Sequence, residues 1–146
     1  MTLEHIELWH TRARPEPTEH DFNVQLGCHL EEIVEMLQTL DFECDGTTFE
    51  ATALSQAMTD LGMALKSGEV SARIINRKEF LDSLGDQVVT TMGVGYCAQM
   101  NTSKATKRID DSNWSKFGTD GLPIKDAHGK IAKGPDYKAP DLQGLY

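Results

Sequence analysis

Apolar residues recur at helical spacing in several stretches of this chain, and polar breakers separate them. Leu3 and Ile6, continued by Trp9 or His10, predict a short first helix over residues 2–12. ARPEPTEHD then breaks the pattern with Pro15 and Pro17. A second helix is expected from about Phe22 to Leu40, with Leu30, Ile33, Val34 and Leu37 as its apolar stripe. Glu31, Glu32 and Glu35 fall on the opposite side of that helix. DFECDGTTF interrupts the periodicity, with a turn expected at Gly46. A third helix, roughly Glu50 to Lys66, turns Leu54, Ala57, Met58, Leu61 and Leu65 inward and stops at Ser67-Gly68. The fourth, about Asn76 to Met100, has Phe80, Leu81, Leu84, Val88 and Met92 on its core face. Gly93 and Gly95 would weaken an exposed helix, so close packing is expected around them. A short fifth helix runs from Lys104 to about Trp114. Residues 116–146 form an extended tail rich in Gly, Pro and Lys, irregular or a small hairpin, and too polar for a core of its own. The pattern predicts one all-α domain over residues 1–146, a four- to five-helix bundle.

Charge narrows the partners. The net charge of −9 argues against nucleic acid and anionic membranes. It leaves a nucleotide open, because a bound divalent ion inverts the local sign. Cys28, Cys44 and Cys97 are odd in number and lack a CxxC pair, so neither a zinc knuckle nor a disulfide framework is indicated. They read as small buried apolar residues in a reducing, cytoplasmic chain. No basic-then-apolar leader and no long apolar run appears, so a soluble, unexported protein is expected.

The acidic residues carry the chemistry. Besides the three glutamates of the second helix, Glu79, Asp82 and Asp86 lie in KEFLDSLGDQVV on the fourth. At about 100° per residue these three fall within about 60° of one another. At roughly 6 Å and an effective dielectric near 20, each like-charged pair costs on the order of 3 kcal/mol. Such a stripe faces open water or a hard cation. Carboxylate oxygens suit Mg²⁺ or Mn²⁺, which also bind substrate phosphates. A solvated helix face explains either triplet equally well. A di-iron or di-manganese bundle wants Glu-x-x-His on two helices, whereas His29 precedes Glu32 and the fourth helix has no histidine. No phosphate-binding glycine loop, GxSxG or Ser/His/Asp pattern is present.

EEIVE on one helix, then EFLD and DSLGD on a later one, resemble the all-α nucleoside triphosphate pyrophosphohydrolases. That superfamily includes the MazG proteins, the dimeric dUTPases and phosphoribosyl-ATP pyrophosphohydrolase. SNWSKFGTDGLPI followed by GKIAKGPDYKAPDL is similar to the C-terminal signature of a MazG-like, phosphoribosyl-ATP-pyrophosphohydrolase-like branch common in phages and bacteria. The similarity runs from about Phe22 to Leu142.

The resemblance implies that ExxE and ExxD carboxylates hold Mg²⁺, which grips a triphosphate. Carried over, these are Glu32 with Glu35 and Glu79 with Asp82. Asp82-Ser-Leu-Gly-Asp86 also resembles the family's Glu-Glu-Leu-Gly-Asp version, with Ser83 in place of a glutamate. Asp82 and Asp86 therefore rank highest among the metal candidates. The implied reaction is attack of water at the α-phosphorus of a (deoxy)nucleoside triphosphate, giving the monophosphate and pyrophosphate. Glu31 or Glu32 is the implied base. Asn113, Lys116, Lys130, Lys133 and Tyr137 are the implied substrate contacts. Trp9, Asn23 and Gln25 read either as base contacts or as packing and capping residues. Pairing of subunits, as a homodimer or homotetramer, would complete core and site. Two rival readings remain: a non-catalytic acidic factor of phage or bacterial origin that binds a nucleotide or a protein, and a metal-binding structural bundle.

Overall fold

The computed structural model describes residues 3–44, 47–48 and 51–146. Five helices dominate: α1 (Leu3–Ala13), α2 (Glu19–Leu37), α3 (Thr52–Ser67), α4 (Arg77–Cys97) and α5 (Thr102–Trp114). A two-residue antiparallel ribbon, β1 (Glu43–Cys44) with β2 (Thr47–Thr48), lies between α2 and α3 and pairs Glu43 with Thr48. The all-α class holds. The expected turn at Gly46 and start at Glu50 lie outside the described residues, as does the side chain of Cys44. No described helix is long and apolar enough to cross a membrane.

The chain groups into two compact units. One comprises Glu16–Ala72 with Lys125–Lys130. Its frame is the α2–α3 hairpin. Thr18 caps α2 by accepting from the Asp21 backbone N–H at 3.1 Å, while the Asp21 carboxylate accepts from the Thr18 N–H at 3.0 Å. The Thr18 hydroxyl, donating to Asp21 Oδ2 at 2.7 Å, and then the Thr18 N–H hold the Asp21 carboxyl down at about 2, with Lys125 assisting against partial burial. Gly68 ends α3 at φ 80°, a backbone region that glycine enters without steric cost.

The packed face of α3 differs from the expected one. Leu54, Ala57 and Leu61 are exposed, and the sheltered stripe runs through Met58, Gly62 and Leu65. Two glycines cause the rotation. A Cβ on Gly27 of α2 would lie 2.7 Å from the Gly62 carbonyl oxygen. Backbones this close place the bare positions, rather than the largest leucines, at the crossing. On α2, Val24, Gly27 and Val34 are buried, while Leu30, Ile33 and Leu37 are half-buried. Glu31 does not lie opposite with Glu32 and Glu35; it is half-buried, and they are exposed.

The other unit comprises Met1–Pro15, Arg73–Ile124 and Ile131–Tyr146. Its core is Trp9, Ala13, Phe117 and Ile131, with Trp114 packed against it. Trp9 stacks on Phe117 with ring centroids 5.6 Å apart and donates its indole N–H to the Asn113 carbonyl at 2.8 Å. The tail is therefore not excluded from a core, since Phe117 and Ile131 supply half of these buried residues. Ser112 Oγ donates to the Lys138 carbonyl at 2.7 Å, and Arg108 donates to the Asp141 carbonyl at 2.6 Å. These bonds strap the tail along α5. Residues 124–132 make a tight turn, with Ala132 N–H donating to the Ile124 carbonyl at 2.7 Å.

α4 departs furthest from expectation. No residue in it is buried, and Leu81, Leu84, Val88 and Met92 are exposed where a core face was expected. Among the described helices of its unit, α4 meets α5 alone. The close approach is at Gly95, where a Cβ would run into the Thr102 side chain; Gly93 has nothing within 4 Å. Close packing thus explains one glycine and not the other. Cys97 is exposed and Cys28 only half-buried, so neither is the buried apolar residue expected.

Candidate functional site

On α2, the glycine crossing determines what surrounds Glu31. Gly27 leaves room for the Lys66 side chain, whose Cγ would lie 2.8 Å from an added Cβ. The Lys66 ammonium then reaches Glu31 Oε1, one turn further along α2. Lys130, on the 125–130 turn, meets Glu31 Oε2 at 2.8 Å. Asp126 shapes that turn by accepting from the N–H groups of His128 and Lys130 at 2.9 and 3.0 Å. Lys125 pairs with Asp21 at 3.4 Å, and His20 Nε2 lies 3.1 Å from the His128 carbonyl.

Partial burial pushes the Glu31 carboxyl up, but the hydrogen bonds and charges of Lys130 and Lys66 outweigh it and hold it below its ordinary value. Lys130 is raised, first by its bond to Glu31 and also by the charge of nearby Glu32. Glu31 is an ion-paired anion with both oxygens occupied. Lys66 was not expected from sequence; its place in the last turn of α3 became informative only once Gly27 and Gly62 were seen in contact.

Glu32 and Glu35 are exposed and make no hydrogen bond or ion pair among the described residues, although the charge of Lys130 lies near Glu32. On α4, Asn76 caps the helix by accepting from the Glu79 N–H at 3.3 Å. This start sets Glu79, Asp82 and Asp86 along one exposed stripe, and their carboxylates are likewise unpartnered among the described residues. Neither unit gathers its acids into a closed cage. Among the described residues no group of three or more His, Cys, Asp or Glu is close enough to hold a metal ion.

Of the expected substrate contacts, Lys130 is brought to Glu31 and Lys133 to Tyr137, its ammonium 4.7 Å from the ring centroid. Asn113 uses its backbone carbonyl to hold Trp9, and Lys116 contributes its carbonyl to the Gly134 N–H at 3.1 Å. Trp9 and Asn23 take the packing alternative. Trp9 is in the core, and buried Asn23 accepts from the Ala72 N–H at 2.8 Å and donates to Ser71 Oγ at 3.2 Å, fixing the exit of α3. Gln25 is exposed on α2.

Within its own unit, each helix offers oxygen donors of the kind a hard divalent ion accepts: Glu35 on α2, and Glu79, Asp82 and Asp86 on α4, make no ion pair among the described residues. Glu31 does not fit that role, because two lysines already claim it. No family model, curated protein or solved structure matches this chain.

Proposed function

We propose that this protein is a Mg²⁺-dependent nucleoside triphosphate pyrophosphohydrolase that works as a homo-oligomer in the cytoplasm. The observation that carries the reading is the unpartnered acidic stripe of α4, Glu79, Asp82 and Asp86, on a helix with no buried residue. The sequence resemblance supports it. Glu32 and Glu35 on α2 are the other carboxylates that the resemblance assigns to the metal. Mg²⁺ held by these carboxylates supplies charge neutralisation and polarises the α-phosphorus of the bound triphosphate.

The remaining work falls to the chain itself. Glu32 takes the base role, since its carboxylate is exposed while that of Glu31 is held by Lys66 and Lys130. It accepts the proton of the attacking water as the α-phosphorus–oxygen bond breaks and pyrophosphate leaves. Lys133 neutralises phosphate oxygens as a compact ammonium. Tyr137, already against Lys133, caps the nucleoside end. Oligomerisation rests on the exposed row of Leu81, Val88, Met92 and Tyr96 on α4, large apolar surface that a second copy would cover.

The test is a panel of ribo- and deoxynucleoside triphosphates assayed for pyrophosphate with and without Mg²⁺ or Mn²⁺. Turnover should require the metal. Asp86→Ala or Glu35→Ala should lower it about 100-fold, which is about 2.7 kcal/mol of barrier. Full activity in both variants would overturn the reading. Nucleotide binding without turnover would favour a non-catalytic binding factor.

A further inference from the structure

Beyond the acidic helices, the unit built on α1, α4 and α5 contains an open cleft of about 590 Å³. Trp114 and Phe117 supply its aromatic wall, and Arg12, Lys138, Asp111 and Asp136 supply its charges. The wall is fixed. The Trp114 indole lies against the His5 ring, their centroids 5.1 Å apart. His5 is itself held 2.6 Å from the carboxylate of Asp110, which is only 3% exposed. Phe117 meets the Trp114 ring edge-on at 5.6 Å. An aromatic side chain locked this way stacks a ligand ring without losing further rotamer freedom.

The charges select what the ring would carry. Asp111 is already met by Lys107 at 2.7 Å. Arg12 and Lys138 have no ion pair among the described residues, and they face the single unpaired carboxylate of Asp136. The lining charges balance, and Lys107 on Asp111 leaves one positive charge in excess beside the cleft, in a chain of net charge −9. Aromatic wall and unpaired cations together suit a planar ring bearing an anionic group. The volume falls within the usual range for a small-molecule site of about 300–1,000 Å³.

We propose that this cleft binds a nucleoside monophosphate, its base stacked on Trp114 and its phosphate held by Arg12 and Lys138. The site uses none of the carboxylates assigned to hydrolysis, so it needs no metal. Its success or failure is separable from that of the catalytic reading.

The experiment is calorimetric titration of the full chain with AMP, GMP, CMP and UMP, with adenosine and inorganic phosphate as controls, in excess EDTA. At least one monophosphate should bind, and the nucleoside and phosphate alone should bind more weakly. Arg12→Met and Lys138→Met should each weaken binding about tenfold, and Asp136→Asn should strengthen it. Asp82→Asn with Asp86→Asn should leave it unchanged. Arg12 and Lys138 are exposed, and each variant should keep the wild-type circular dichroism spectrum. No binding of any monophosphate up to about 1 mM would overturn the proposal. So would undiminished binding in the Arg12→Met/Lys138→Met double variant, or loss of binding in the α4 variant, which would move the nucleotide to the acidic stripe.

Discussion

Glu31 on α2 and Asp82 on α4 both belong to acidic triplets, and both helices carry glycines near those acids, yet their surroundings are opposite. Glu31 is half-buried between Lys66 and Lys130, beside a crossing where Gly27 touches the Gly62 backbone. Asp82 is exposed and unpartnered among the described residues, and nothing lies within 4 Å of a Cβ placed on the neighbouring Gly85. The same residue types therefore serve different ends. On α2, glycine brings two helices together and an acid is neutralised in the space beside them. On α4, the acids keep their charge and the apolar residues keep their exposure. A helix of 21 residues with three glycines gains little from intrinsic propensity, so its stability must come from whatever covers that apolar row.

The glycine crossing is where the largest stability effect is expected. Gly27→Ala places a Cβ 2.7 Å from a backbone oxygen, which cannot swing aside as a side chain does. The helices must part, at a cost of about 1–3 kcal/mol. Chemical denaturation should show the loss as a lower midpoint with an unchanged slope. Unchanged stability would mean that the two helices do not meet at these glycines.

The helices themselves were legible because their signals are local. Pro15 and Pro17 end the first, Ser67-Gly68 stops the third, and Asn76 opens the fourth, whereas the Thr18 capping box, which starts the second at Glu19 rather than near Phe22, was missed inside the linker. Their faces were less legible. Periodicity ranks positions by side-chain hydrophobicity, so it put Leu54 and Leu61 inward and gave Gly62 no weight. The contact was set instead by the residue with no side chain at all. Ile131 shows the same limit from another side. One apolar residue in a polar tail carries no period, yet it completes the core around Trp9 and Phe117. Of the candidate site, the acidic stripe of α4 followed directly from spacing. The pairing of Glu31 did not, because Lys66 is 35 residues away and reaches it only through the Gly27 gap.

Glu31→Gln tests whether the two acidic helices differ in charge compensation as well as in packing. The change leaves Lys66 largely sheltered without its anion. With Glu31 itself about one-third exposed, a loss of about 1–2 kcal/mol is expected near neutral pH. Glu32→Gln should change stability little. The pH dependence has a definite sign. The Glu31 pKa is depressed by folding, so its contribution is present above the ordinary value near 4.5 and fades as pH falls through the lower folded value. Wild type and Glu31→Gln should therefore converge in stability as pH drops below about 4.5. A constant gap down to that range would remove the ion pairs as its cause.

The smallest effect carries the sharpest information about α4. Gly93 lies inside the helix with open space around its missing Cβ. If that surface stays uncovered, Gly93→Ala gains helix propensity and stabilises the chain by about 0.5–1 kcal/mol. If a second copy packs its backbone against Gly93, the added methyl meets that partner and the sign reverses, as it does at Gly27. Measuring the midpoint of Gly93→Ala at several protein concentrations separates the two cases. A gain at every concentration describes a bare helix. A loss that appears only in the assembled range shows that the apolar row of α4 is an interface, and that the contrast with α2 exists only in the isolated chain.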